Sequence, residues 1–220
     1  MSSNSDFVMH EYAKLFGLVD MNTLGCKNII YKHWMNLQAN YSRIYHNFEH
    51  IASGLREINK LGDNIAYLSE LKCAWIFHDV VVGCRNAELL SAVFAQNVLN
   101  DTNTTLEKEI IYDLISETAP EAYCIEGQSK TGLYVADLIH DIDFLILGQD
   151  WETFLKYDEN IIIEYGARFD PYSRTKFFKL IRNMNNIYRI RRFRENYDWI
   201  AYSNVDKILR EKYSSYILSY

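Results

Sequence analysis

Two prolines in 220 residues, Pro120 and Pro171, with only nine glycines, constrain this chain more than any other feature. Proline removes a backbone donor and breaks a helix from within, and glycine weakens a helix through its conformational freedom. A chain that nearly does without both can run long helices joined by short turns. Apolar spacing agrees. "LKCAWIFHDVV" sets Leu71, Ala74, Trp75 and the Phe77/His78 pair on or near one face, which predicts a buried helix over about residues 66–82. Arg85 or Asn86 is expected to open the next, with Leu89, Leu90, Val93, Phe94 and Val98 as its apolar stripe. Thr104 or Thr105, ahead of Glu107 and Glu109, reads as a cap followed by an acidic first turn. "SKTGLYVADLIHDIDFLILG" predicts a further helix ending near Gly148. "DWETFLKYDENIIIEYGARF" predicts another, with Ile161–Ile163 expected to be deeply buried, and Pro171 breaks the chain before the next stretch. No alternating strand pattern stands out. The expectation is an all-α protein, a single domain over 1–220, built from roughly eight to ten helices.

Composition narrows the function classes. Hydrophobic residues at 49% and charged residues at 24% exclude a disordered chain. A net charge of −6 gives no general pull toward nucleic acid or an anionic membrane. No apolar run reaches transmembrane length, and "MSSNSDFVMHEYAKLF" lacks the basic-then-apolar layout of a secretory signal. Cys26, Cys73, Cys84 and Cys124 are scattered without a CxxC pair, so reduced thiols and a cytoplasmic setting are expected. The 17 tyrosines favour a core with polar handles and leave a homo-oligomer open.

Three clusters can carry chemistry. In "YSRIYHNFEHI", His46 and His50 lie four apart and share a face if the stretch is helical. In "FHDVV", His78 and Asp79 are adjacent inside an apolar run, where a charged carboxylate is unfavourable unless paired or bound to a cation. In "DLIHDIDFLILG", Asp137, His140 and Asp141 share a face at i, i+3 and i+4, while Asp143 points elsewhere. Singly, each of these residues reads as a satisfied polar side chain, a cap or a solvated charge. Together they make a set of imidazoles and carboxylates of the kind that binds Zn, Mn, Fe(II) or Co, and helical bundles build such sites from several helices.

The order His, then His-Asp, then Asp resembles the HD-domain superfamily of metal-dependent phosphohydrolases. "YSRIYHNFEHI", "AWIFHDVVV", "NAELLSA", "DIDFLILG" and "YDENIIIEYG" resemble, more narrowly, a bacterial and phage-type subfamily of predicted HD phosphohydrolases, over residues 41 to about 190. The first block is also similar to the Y-H-N-x-x-H signature of cyclic-nucleotide phosphodiesterases. The resemblance implies an HD-type helical bundle that uses a divalent ion (Mn, Fe, Zn, Co or Mg) to hydrolyse a phosphoester or phosphoanhydride of a nucleotide or related small molecule. It implies His50, His78 and Asp79 as metal ligands, with Asp141 as the fourth and Asp143 as the alternate. It further implies His46 as proton donor to the leaving oxygen and Arg43 as a partner for a phosphate or a ligand carboxylate. Asn86, Glu88 and Ser91 would line the substrate pocket, although on residues alone they read equally as a helix start with an acidic first turn.

Two departures bear on function. Relatives often carry a further histidine where "LISETAPEAY" offers Thr118, which bears on a second ion, and "VVVGCRNAE" replaces their usual turn after His-Asp. They leave a second reading in view: a catalytically silent HD-like domain that binds a nucleotide or a protein. A third feature is the basic run from Arg174 to Arg194, interleaved with Phe177, Phe178, Tyr188 and Phe193. It reads either as a grip for phosphates and bases or as a solvated helix face with its apolar side packed inward.

Overall fold

The computed structural model describes residues 3–16, 43–102, 104–119, 129 and 131–217, and among these every regular element is helical and none is a strand. The chain divides into two compact units, Met1–Ala119 and Pro120–Tyr220.

The first unit holds α1 (Asn4–Leu15), α2 (Phe48–Asn59), α3 (Leu68–Phe77), α4 (Ala87–Asn100) and α5 (Lys108–Ser116). Helix α1 starts with a reciprocal cap: the Ser3 hydroxyl accepts from the Asp6 N–H, and the Asp6 carboxylate accepts from the Ser3 N–H, both at 3.1 Å. Helix α2 starts at Asn47, whose side-chain oxygen accepts from the N–H groups of Glu49 (2.8 Å) and His50 (3.4 Å). Helix α3 packs against α1, α2, α4 and α5, which explains why it has almost no polar face. Cys73, Ala74, Trp75, Ile76 and Phe77 are all buried in succession. It ends earlier than expected, with His78 as its cap and Asp79 in the turn beyond, so the His-Asp pair sits at a helix terminus. The connection to α4 needs two left-handed residues, Gly83 (φ 73°) and Asn86 (φ 59°).

The second unit holds α6 (Tyr134–Asp143), a 3-10 turn (Phe144–Gly148), α7 (Trp151–Tyr165), α8 (Pro171–Arg182), α9 (Arg191–Glu211) and α10 (Ser214–Ile217). Asp150 and Asp170 cap α7 and α8 with their carboxylates, and Pro171 occupies the first turn of α8, where its missing N–H costs nothing. Helix α9 packs on the 3-10 turn, α7, α8 and α10. Deep in this unit Asp158 is fully buried and accepts from Arg174 Nε (2.9 Å), Tyr213 Oη (2.9 Å) and Lys212 Nζ (2.8 Å).

Several local expectations change. Of Ile161–Ile163 only Ile161 is buried, and Ile163 is 58% exposed, because three consecutive helical residues point about 100° apart and α7 has one packed side. On α4 the buried residues are Ala87, Ser91, Ala92, Ala95, Val98 and Leu99; of the expected stripe Val98 is buried, while Leu89, Leu90 and Val93 are exposed. The cap of α5 is Glu107, not Thr104 or Thr105. Cys73 is buried and Cys84 exposed, both as free thiols, and burial pushes the Cys73 thiol pKa far up. Cys26 and Cys124 lie outside the described residues.

Candidate metal centre

Two helix ends meet in the first unit: the start of α2, carrying His50, and the end of α3, carrying His78 and Asp79. Their polar tips converge. His50 Nε2 lies 3.2 Å from His78 Nε2, and Asp79 Oδ2 lies 3.3 Å from the first and 2.9 Å from the second. His78 is 1% exposed and His50 8%, with Asp79 somewhat more open at 18%.

The tautomer of His78 follows from its surroundings. Its Nδ1 lies 2.7 Å from the carbonyl oxygen of Trp75, an atom that only accepts, so Nδ1 carries a proton. In the neutral ring Nε2 therefore presents a lone pair to the His50 nitrogen and to a carboxylate oxygen. Three electron-rich atoms within 3.3 Å of one another need a positive centre among them, either protons on the rings or a cation. The donor set, two imidazoles and one carboxylate, is what a borderline divalent ion takes, and His50 and His78 belong to a group of side chains that could hold a metal ion. Burial raises the Asp79 carboxyl pKa, but the positive imidazoles of His78 and His46, with hydrogen bonds from His50 and His78, outweigh it and hold it well below the usual carboxylate range.

His46 is not on the helix with His50. It lies in the turn before Asn47, its ring 6.2 Å from that of His50, and it reaches the field of Asp79 from that turn. Tyr45 packs beside both rings, with centroids at 5.0 Å from His46 and 4.9 Å from His50. Arg43 has a different task from the expected one. Its guanidinium donates to the carbonyl oxygens of Asp79 (2.6 Å), Val80 (2.8 Å) and His46 (3.3 Å), tying the turn that carries His46 to the chain just beyond α3.

The residues after His-Asp divide in the same way. Ser91 is fully buried: its hydroxyl accepts from the Val81 N–H (3.0 Å) and donates to the Val81 carbonyl (3.3 Å), fastening the loop after His-Asp to α4. Asn86 is exposed in the left-handed conformation that opens α4, and Glu88 is half-buried in the first turn.

In the second unit, Asp141 is fully buried and both its oxygens are engaged. Oδ1 accepts from the Arg189 N–H (2.8 Å) and meets His140 Nδ1 (2.9 Å), and Oδ2 accepts from the Ile190 N–H (2.7 Å), so the carboxylate caps the start of α9 from outside. Burial lowers the pKa of His140 against the opposing pull of that carboxylate. Asp137 receives the Ser129 N–H and pairs with Arg189 at 3.7 Å. Asp143, half-buried, ends α6.

The basic run is dispersed. Arg174 lies on Asp158, Arg182 on Asp206 (2.8 Å), Arg189 on Asp137 and Arg191 on Glu195 (2.6 Å). Of its aromatic residues, Phe178, Tyr188 and Phe193 are buried in the unit.

Sequence reasoning placed Trp75 on the apolar face of its helix and missed Gly54. The indole stacks on His78 with ring centroids 4.3 Å apart and planes 23° apart, and sits 5.1 Å from the ring of His50. The signal in the sequence was a glycine inside a helix one turn after His50. No family model, curated protein or solved structure matches the chain.

Proposed function

We propose that this chain is a metal-dependent phosphohydrolase acting on a nucleotide or a related small phosphoester. The observation that carries the reading is the convergence of His50 Nε2, His78 Nε2 and Asp79 Oδ2, brought together from two helix ends across 28 positions of sequence. The order of residues around that convergence is the one the HD-type resemblance implies.

A divalent ion held there would supply an acidified water and neutralise charge on a phosphoryl oxygen. The remaining work belongs to the chain. The carbonyl of Trp75 fixes the His78 ring so that Nε2 faces inward as a ligand. Asp79, kept ionised by its neighbouring imidazoles, orients a water by hydrogen bond. His46, carried on the turn beside the site, donates the proton that the leaving oxygen needs, since an imidazole titrates near working pH. Arg43 acts as a positioning residue for that turn rather than as a phosphate partner. The further acidic ligand that the resemblance implies, Asp141 or its alternate Asp143, stays an expectation, and both oxygens of Asp141 already accept from backbone N–H groups.

The test is elemental analysis of the purified chain followed by a nucleotide panel with Mn2+, Mg2+, Co2+ and Zn2+. His78→Ala and Asp79→Ala are expected to lose metal and turnover together. Full metal content in His78→Ala rejects the site. Nucleotide binding without turnover under every metal selects the silent-domain reading.

A further inference from the structure

We infer that Trp75 is a positioning residue for the proposed centre: its indole is the wall against which the rings of His50 and His78 are set. The inference rests on the metal reading of the His50–His78–Asp79 group and goes beyond it, since nothing in the ligand pattern requires a tryptophan.

Three observations carry it. Trp75 stacks on His78, which lies three residues further along the same chain, and its ring also touches that of His50 on α2. It is therefore the one described side chain with ring contacts to both imidazoles of the candidate ligand set, and its residue has a polar anchor beside each of them. Its Nε1–H donates to the carbonyl oxygen of Ile51 at 2.9 Å, the residue next to His50, and its own carbonyl receives His78 Nδ1. The same residue thus sets α2 against α3 beside His50 and selects the tautomer of His78. Finally, α2 makes room for it. Gly54, one turn after His50, faces the indole, and a Cβ there would overlap atoms of the Trp75 ring. A glycine within a helix costs about 1 kcal/mol against alanine, and here the space it leaves is filled by the indole.

A buried tryptophan can also be core and nothing more, at 1% exposure. The two roles separate in what they move. A structural role lowers stability and leaves the ligand geometry of the folded protein alone. A positioning role changes how tightly a cation is held and how it is coordinated in protein that is fully folded.

The experiment uses the full chain and Co2+, whose visible absorption reports its coordination geometry. Binding is followed by calorimetry and by that spectrum for the wild type, Trp75→Phe and His78→Ala, with circular dichroism verifying the fold. Trp75→Phe keeps a ring and loses the Nε1 donor. The expected result is Co2+ affinity weakened about 10- to 100-fold, the range seen when outer partners of metal ligands are removed, with an altered spectrum at saturating Co2+. Should Trp75→Phe not fold, Gly54→Ala, which displaces the indole without removing it, is expected to show the same loss. A folded Trp75→Phe or Gly54→Ala with wild-type affinity and spectrum overturns the positioning role while leaving the site intact. Wild-type protein that binds no Co2+, or His78→Ala that binds it as well as wild type, overturns the metal reading and this inference with it.

Discussion

A hydrogen bond to a main-chain carbonyl decides what His78 can do, because it settles which nitrogen carries the proton. Arg43 makes the same point from the other side. An arginine three residues ahead of a histidine reads as a phosphate ligand, yet its guanidinium is spent on carbonyl oxygens of Asp79 and Val80. Charged hydrogen bonds of this kind are worth about 1.5–3 kcal/mol each. Arg43→Met is therefore expected to lower stability by about 1–3 kcal/mol in urea unfolding. It should also reduce turnover through loss of the His46 turn, with metal content unchanged. Asn47 is a second case at this scale. Asn47→Ala removes the cap of α2 and should cost about 1 kcal/mol, while Asn47→Asp keeps the cap but loses the donation from Asn47 Nδ2 to the Ile44 carbonyl (2.8 Å).

At the scale of elements, α3 is the helix around which the first unit is built, and its attachment to α1 includes one charged cluster. Glu11, buried on α1, meets Lys14 at 2.8 Å and Lys72 of α3 at 3.3 Å. Burial raises the Glu11 pKa, the two lysines lower it, and the net direction is down from 4.5. A carboxylate with a depressed folded pKa adds stability that is fully present above its unfolded value and is lost as pH falls through the folded value. The difference in unfolding free energy between wild type and Glu11→Gln should thus be constant from neutrality down to about pH 5 and shrink below it. A gap that widens on acidification would contradict this sign. Helix α4 teaches a different lesson. Its leucines at 89 and 90 and Val93 look like core by periodicity, but small Ala92 and Ala95 face inward, because α3 and α5 approach α4 closely on that side.

For the molecule as a whole, two units hold the described helices. In the second, Asp158 gathers α7, α8 and the end of α9 through Arg174, Tyr213 and Lys212. Removing the carboxylate leaves buried Arg174 without its counter-charge. Asp158→Ala is then expected to cost about 3–5 kcal/mol in thermal or urea unfolding. Asp158→Asn, which keeps the shape, should lose most of that as well. No helix among the described residues is long and apolar enough to cross a membrane.

By itself the sequence determined the class of fold and the residues worth testing. Scarce proline and glycine with helical spacing imply helices, since these are local properties of a chain, and the residue types of a metal site are visible wherever they stand. Tertiary structure alone decided three things. It separated His46 from the helix of His50, because Asn47 caps that helix and ends its reach. It assigned Asp141 to the N–H groups of Arg189 and Ile190 nearly fifty residues away, and Ser91 to Val81, because a buried polar atom takes the nearest donor that folding brings. It set Trp75 over Gly54 and against two imidazoles, a match between helices that no periodicity along one chain segment encodes.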